Sequence, residues 1–237
     1  MTARSVVLSV LLGTHPAWAN AAELLRLTAE FGIKDATLRV ALTRMVGAGD
    51  LVRSADGYRL SDRLLARQRR QDEAMQPPVR PWRGNWATVV ITSVGNDARS
   101  RAALRTTLSG NRFAELREGV WMRPDNLAVG LDADVRARSR VFSARDDDPV
   151  GLARQLWDLP GWAKTGAELL DAMTSADGIP GRFTVAAAMV RHLLTDPVLP
   201  GELLPLDWPG DRLRLGYTEF AAELSRRRNV NQPAEAR

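Results

Sequence analysis

The stretch FGIKDATLRVALTRMVGAGDLVRSADGYRLSD, from Phe31 to Asp62, constrains this chain more than any other. At 100° per residue, Leu38, Ala41, Leu42 and Met45 share one face of a helix running from about Asp35 to Ala48 and must pack inward. Ala36, Val40, Thr43 and Gly47 point the opposite way, flanked by Arg39 and Arg44. Gly49 stops the helix. Leu51–Ala55 and Tyr58–Leu60 then read as two strands joined through Asp56-Gly57, a two-residue hairpin signal. A small, bare helix face with arginines beside it is shaped to approach another surface closely.

Two helices precede this stretch. Thr2 and Gly13 bracket the first. Asn20, followed by Glu23 three residues later, caps the second, and Leu24, Leu25, Leu27 and Phe31 form its apolar stripe. Ser61 is read as the cap of a fourth helix carrying Arg63, Arg67, Arg69 and Arg70. Three helices followed by a β-hairpin make a winged helix-turn-helix. In such a module Val40 and Thr43 can touch base edges and Arg39 and Arg44 can reach guanine edges or phosphates, with Arg53 and Arg59 on the hairpin near the DNA backbone or minor groove. Between Lys34 and Arg70 there are nine Lys/Arg against four Asp/Glu, an excess that favours DNA over a protein-packing role for the same helices.

The rest of the chain divides at prolines. Pro77, Pro78 and Pro81 mark a linker after a first domain of residues 1–76. Residues 82–145 then read β-α-β-β-α-β: a strand from Trp86 to Thr92, a helix from Ala98 to Leu108, two strands meeting near Glu118-Gly119, a helix between Asp125 and Ala137, and a strand SRVFSA. That order predicts a ferredoxin-like middle domain. Residues 146–237 are helical again, interrupted by the proline-rich TDPVLPGELLPLDWPG, and the tail NVNQPAEAR is expected to fray. The predicted class is α+β, in three domains.

Composition narrows the chemistry. Cysteine is absent, which excludes disulfides and thiol nucleophiles and suits a reducing cytoplasm. Two histidines, His15 and His192, are too few for most His-based metal sites, and both are read as structural. No apolar run reaches the ~20 residues of a membrane span. The run Val6–Leu12 is short for a signal peptide and is read as the first helix. A net charge of +5 and a pI near 10.5 favour an anionic partner. The seven tryptophans are read as core and interdomain packing, with one or two as candidates to line an aromatic pocket.

Three stretches together resemble the PaaX family of bacterial transcriptional repressors: TLRVALTRMVGAGDL; LREGVWMRPDNL; and LWDLPGW with LTDPVLPGELLPLDWPG. The resemblance covers nearly the whole chain. It implies a homodimer that binds a palindromic operator through Thr37, Arg39, Val40, Thr43 and Arg44 and is released by an aryl-acyl-CoA such as phenylacetyl-CoA. It departs from the family at Lys34, where a serine cap is common; Asp35 is then the residue to cap the helix or to favour its positive end. Coenzyme A carries phosphates that guanidinium groups suit, and Arg99, Arg101, Arg105 and Arg112 cluster around the middle-domain helix. An apolar slot between the middle and C-terminal domains would take the aryl group.

Two other readings compete. The middle domain also resembles small ferredoxin-like nucleases, but these need an acid at the end of the first strand to hold a divalent metal. Thr92 and Ser93 stand there, and Asp97 lies farther on, so no catalytic residue, metal or cofactor is expected. An effector-free DNA-binding protein would not need about 160 residues beyond the first domain, more than one domain of ~100–150.

Overall fold

The structure is a computed structural model that describes residues 1–93, 97–128 and 130–229. The tail expected to fray lies outside the described residues. Two compact units are present. The first comprises residues 1–75, 166–194 and the chain from 210 on; the second comprises residues 76–165 and 195–209.

The first unit opens with α1 (Ala3–Leu12), capped by a reciprocal box between Thr2 and Ser5. A two-residue strand, β1 (Trp18–Ala19), follows, and then α2 (Ala21–Ala29), whose Asn20 cap and Glu23 make the expected capping box. Next come α3 (Asp35–Gly47), β2 (Leu51–Arg53), β3 (Tyr58–Leu60) and α4 (Asp62–Met75). Lys34 is the N-cap residue of α3 but makes no side-chain cap bond. Asp35 does not cap either; it sits in the first helical turn. Ser61 also departs from expectation: its hydroxyl is buried with no hydrogen-bond partner among the described residues, and only its carbonyl receives the amides of Leu64 and Leu65.

Strand β1 was not legible in the sequence. It pairs antiparallel with β3, so the sheet order is β1-β3-β2. The hairpin turn is displaced by one residue. Arg53 pairs with Tyr58, and Ser54 N donates to Gly57 O at 2.9 Å, which leaves Ala55-Asp56 as the turn. Gly57 is needed for another reason: a Cβ there would lie 2.4 Å from Ala19 O of β1.

Later in the chain this unit holds the end of α8 (Leu159–Ser175), then α9 (Gly178–Leu193) and α10 (Gly210–Asn229). Helix α1 lies between two cores. Val7, Leu8, Leu11 and Leu12 pack with Leu38, Leu42 and Met45 of α3 and Leu51 and Leu60 of the hairpin. Val6 and Val10 pack the other way, with Leu27, Phe183, Ala186 and Phe220. Buried Gln68 on α4 donates to the carbonyls of Leu11, Leu12 and Thr14, satisfying the C-terminal end of α1.

The second unit is built on β4 (Trp86–Ile91), α5 (Ala98–Gly110), β5 (Ala114–Arg117), β6 (Val120–Pro124), α6 (Ala133–Ala137) and β7 (Ser139–Ala144). The sheet is antiparallel, in the order β5-β6-β4-β7. Gly119, at φ 77°, turns β5 into β6. One expectation is met only in part: the helix expected between Asp125 and Ala137 is confined to α6. Residues 125–128 are not helical, because their polar groups are committed to extended partners. Asp125 N donates to Asn85 O, Leu127 bridges Val79, Ala128 N donates to Pro78 O, and the Asn126 side chain donates to Val198 O. The proline linker is thereby tied down. Helix α7 (Pro149–Leu156), the start of α8 and a 3₁₀ turn at Gly201–Leu203 complete this unit. Trp86, Leu152, Leu159, Leu199 and Leu203 form its second core.

Candidate nucleic-acid interface

Burial of Leu38, Leu42 and Met45 fixes the rotation of α3. Ala36, Thr37, Arg39, Val40, Thr43, Arg44 and Gly47 are consequently exposed, and Val40, at 51%, is one of the more exposed large apolar residues described. The five residues singled out on this helix therefore share one accessible surface.

Their electrostatics are unequal. Arg39 is clamped: its Nε and Nη2 donate to the two carboxylate oxygens of Asp35 at 2.8 and 3.3 Å. That hydrogen bond and charge raise the Arg39 pKa further. The Arg44 side chain makes no hydrogen bond or ion pair with a described residue and keeps all its guanidinium donors. The Thr43 hydroxyl donates to Arg39 O, so its lone pairs face outward.

On the hairpin, Arg53 and Arg59 are both exposed but on opposite faces. Val52 pairs with Arg59, and Arg53 with Tyr58; residues one step apart along a strand alternate sides. Arg59 also lies 3.9 Å from Asp62.

Sequence reasoning missed two further cations. Asp50, almost wholly buried, accepts from Arg4 of α1 at 2.8 Å and from Arg63 of α4 at 2.6 Å, while both guanidinium groups remain largely exposed. Arg4 lines a hollow of about 660 Å³ together with Thr37, Val40 and Arg44. Its nearest sequence signal is a lone aspartate after a helix-ending Gly49, which suggests a turn rather than a clamp.

In the second unit, the arginines of α5 are not gathered into one place. Arg101 and Arg105 line a hollow of about 370 Å³, which Glu115 and Glu118 also line. Arg105 bonds Glu115 and lies 6.0 Å from the Trp121 ring. Arg99 and Arg112 do not line it. Asp97 accepts from Ser100 N as the cap of α5. Among the described residues, no group of three or more His, Asp or Glu is arranged to hold a metal, and no helix is long and apolar enough to cross a membrane.

No protein in the curated set matches the chain significantly. A solved structure of the uncharacterized protein Rv0674 from Mycobacterium tuberculosis is 68% identical, with a TM-score of 0.89 over 98% of this chain and 99% of that one. Residues 2–64 match the family model for a PaaX-like protein, residues 79–147 that for the PaaX protein central Cas2-like domain, and residues 168–232 that for the PaaX-like protein C-terminal domain. With all three segments present, in order and over most of its length, the chain belongs to the PaaX family.

Proposed function

We propose that this chain is a DNA-binding transcriptional repressor of an aromatic-acid catabolic operon, released from a palindromic operator by an aryl-acyl-CoA such as phenylacetyl-CoA. PaaX-family proteins are transcriptional regulators that bind DNA. The observation that carries the reading is the exposed face of α3, made of small residues with Arg44, unpaired among the described residues, at its edge, beside a basic hairpin. In this reading residues 1–76 are a winged helix-turn-helix, with Thr37, Arg39, Val40, Thr43 and Arg44 against bases and nearby phosphates. Arg53 and Arg59, being on opposite faces, divide their contacts, one toward the duplex beneath the hairpin and the other along its flank. Residues 82–145 are read as a ferredoxin-like domain, for which the strand order β5-β6-β4-β7 is support. Residues 146–237 are read as the helical C-terminal segment, whose described helices are shared between the two compact units. Arg99, Arg101, Arg105 and Arg112 are candidates for the phosphates of coenzyme A, with the carboxylates of Glu115 and Glu118 working against them.

The test is a binding assay on DNA from the neighbourhood of the gene. Specific capture of one fragment is expected, with a steep loss of affinity as salt rises. Phenylacetyl-CoA should release the fragment and free phenylacetate should not. A protein that binds every fragment equally, whatever the additive, would refute the reading.

A palindromic site calls for two copies of the module. Strand β7 is an edge of its sheet, residues 140–143 are exposed on both of its faces, and Val141 and Phe142 are 46% and 55% exposed. An edge strand left with apolar side chains invites pairing with another chain. A second copy is the occupant we assign. Sedimentation of the full chain is expected to give a dimer, and Val141→Lys with Phe142→Lys a monomer with weakened operator binding. A dimer that survives both substitutions would move the interface elsewhere.

A further inference from the structure

The first unit contains a cavity of about 110 Å³ whose lining comes from α1, α2, α4, α9 and α10. Its interior is apolar, with Val10, Leu27, Phe183, Phe220 and Leu224 among its walls. An engineered apolar cavity of roughly 150 Å³ takes up benzene, so the size class here is one aromatic ring or a short acyl chain. Coenzyme A is far too large to enter and would have to lie outside.

The polar lining has one sign. Arg67, Arg191 and Arg228 line the cavity, and none of the described lining residues is a carboxylate. Arg67 and Arg191 are exposed and make no hydrogen bond or ion pair with a described residue. The hollow beside α5, by contrast, sets two arginines against two glutamates. Two more groups suit a polar atom at the junction of ring and anion. The hydroxyl of Thr14 is buried without a partner among the described residues, and Gln71 Nε2 donates to the Tyr217 hydroxyl at 2.9 Å. Burial raises the Tyr217 pKa, so the phenol stays neutral and retains a proton to donate.

We propose that this cavity is a binding site for an amphipathic anion, with an aryl or short acyl end among Val10, Phe183 and Phe220 and a negative end at Arg67 and Arg191. The proposal rests on the regulator reading in one respect, that occupancy alters DNA binding. The route is short. Helix α1 faces the cavity side with Val6 and Val10 and packs against α3 with Leu8, Leu11 and Leu12. Helix α4 carries Arg67 and Gln71 at the cavity and follows directly on β3. A ligand that fits better when α9 and α10 shift against α1 changes the support of α3; one that fits both arrangements equally changes nothing.

The experiment is calorimetric titration of the full chain with phenylacetyl-CoA, phenylacetate and free coenzyme A, beside operator binding under the same additives. Two sets of variants are used. Ala187→Leu with Ala221→Leu fills the cavity from half-buried positions, and Arg67→Ser with Arg191→Ser removes charge from exposed ones. At least one aryl probe is expected to bind, with affinity falling tenfold or more in the filled variant and several-fold in the charge variant. Unchanged affinity in both variants would place the ligand elsewhere and overturn the proposal, as would failure of all three probes to bind wild type. Binding of phenylacetate alone, lost on filling, supports the site and rejects the acyl-CoA assignment. Binding that the filled variant loses, without any effect on operator affinity, supports the site and rejects release by effector.

Discussion

A chain carrying both Arg39→Ala and Arg44→Ala should lose operator affinity on the order of 100-fold and, with it, most of its preference for one sequence. The two arginines flank the same exposed face of α3 but should not contribute equally. Arg44 has no partner among the described residues, so its planar fork is available for a bidentate contact with a guanine edge. Arg39 already gives two donors to Asp35, and a base or phosphate must either accept its remaining donors or compete with that carboxylate. Arg44→Ala is therefore expected to cost more than Arg39→Ala. Arg53→Ala should weaken all sequences about equally and lower the salt slope by about one, as a phosphate contact does. All these side chains are exposed, so none of the variants should lose helical signal by circular dichroism. Titration of labelled duplexes at two salt concentrations checks this. Unchanged operator affinity in the double variant would mean that α3 is not the helix that reads DNA.

Legibility from sequence followed the range of the interactions. The N-terminal helices were readable because their signals are local: Asn20 and Glu23 close a capping box three residues apart, and Leu38, Leu42 and Met45 recur at helical spacing. So were the two strands on either side of Gly119, which marks the turn between them. What failed depended on distant partners. β1 exists because Trp18 and Ala19 pair with Arg59 and Tyr58, partners far away in the chain. The stretch after Pro124 looks helical by composition but gives its donors to Asn85 and Pro78. The candidate site divides the same way. The exposed face of α3 was legible from periodicity. The Asp35 clamp on Arg39 follows from i,i+4 spacing, although the sequence suggests only a cap or a charge at the positive helix end for Asp35. The Asp50 bridge to Arg4 and Arg63 spans 46 and 13 positions and has no local signature. The cavity of the first unit was invisible too, because its walls come from both ends of the chain.

Trp86→Ala should be among the most damaging single substitutions in the second unit, costing about 3–5 kcal/mol. Trp86 begins β4, pairs with Pro124 on one side and Ala144 on the other, and has no solvent exposure. It stands edge-on to Trp82 at 6.2 Å and lies nearly parallel to Trp157 at 6.4 Å, with Met122, Leu152, Leu159 and Leu203 in the same core. Alanine would leave a cavity the size of an indole between a sheet and the helices packed on it. Trp86→Phe should behave differently from the usual loss of a buried tryptophan. The indole N–H of Trp86 is buried without a hydrogen-bond partner among the described residues, whereas Trp82 donates its own to Asn85 O at 2.6 Å. Phenylalanine gives up area and part of the stacking but also removes an unsatisfied donor whose burial costs about 1–3 kcal/mol, so the two effects largely cancel. The expected order in a thermal melt is wild type and Trp86→Phe within about 1 kcal/mol of each other, with Trp86→Ala lower by roughly 10–20 °C on the scale of a ~100-residue unit. Trp82→Phe should cost more than Trp86→Phe, despite being at a less buried position, because it breaks a made hydrogen bond and leaves Asn85 O with the amide of Asp125 alone. Equal losses for the two phenylalanine variants would show that packing, rather than the state of the N–H, decides the outcome in this core.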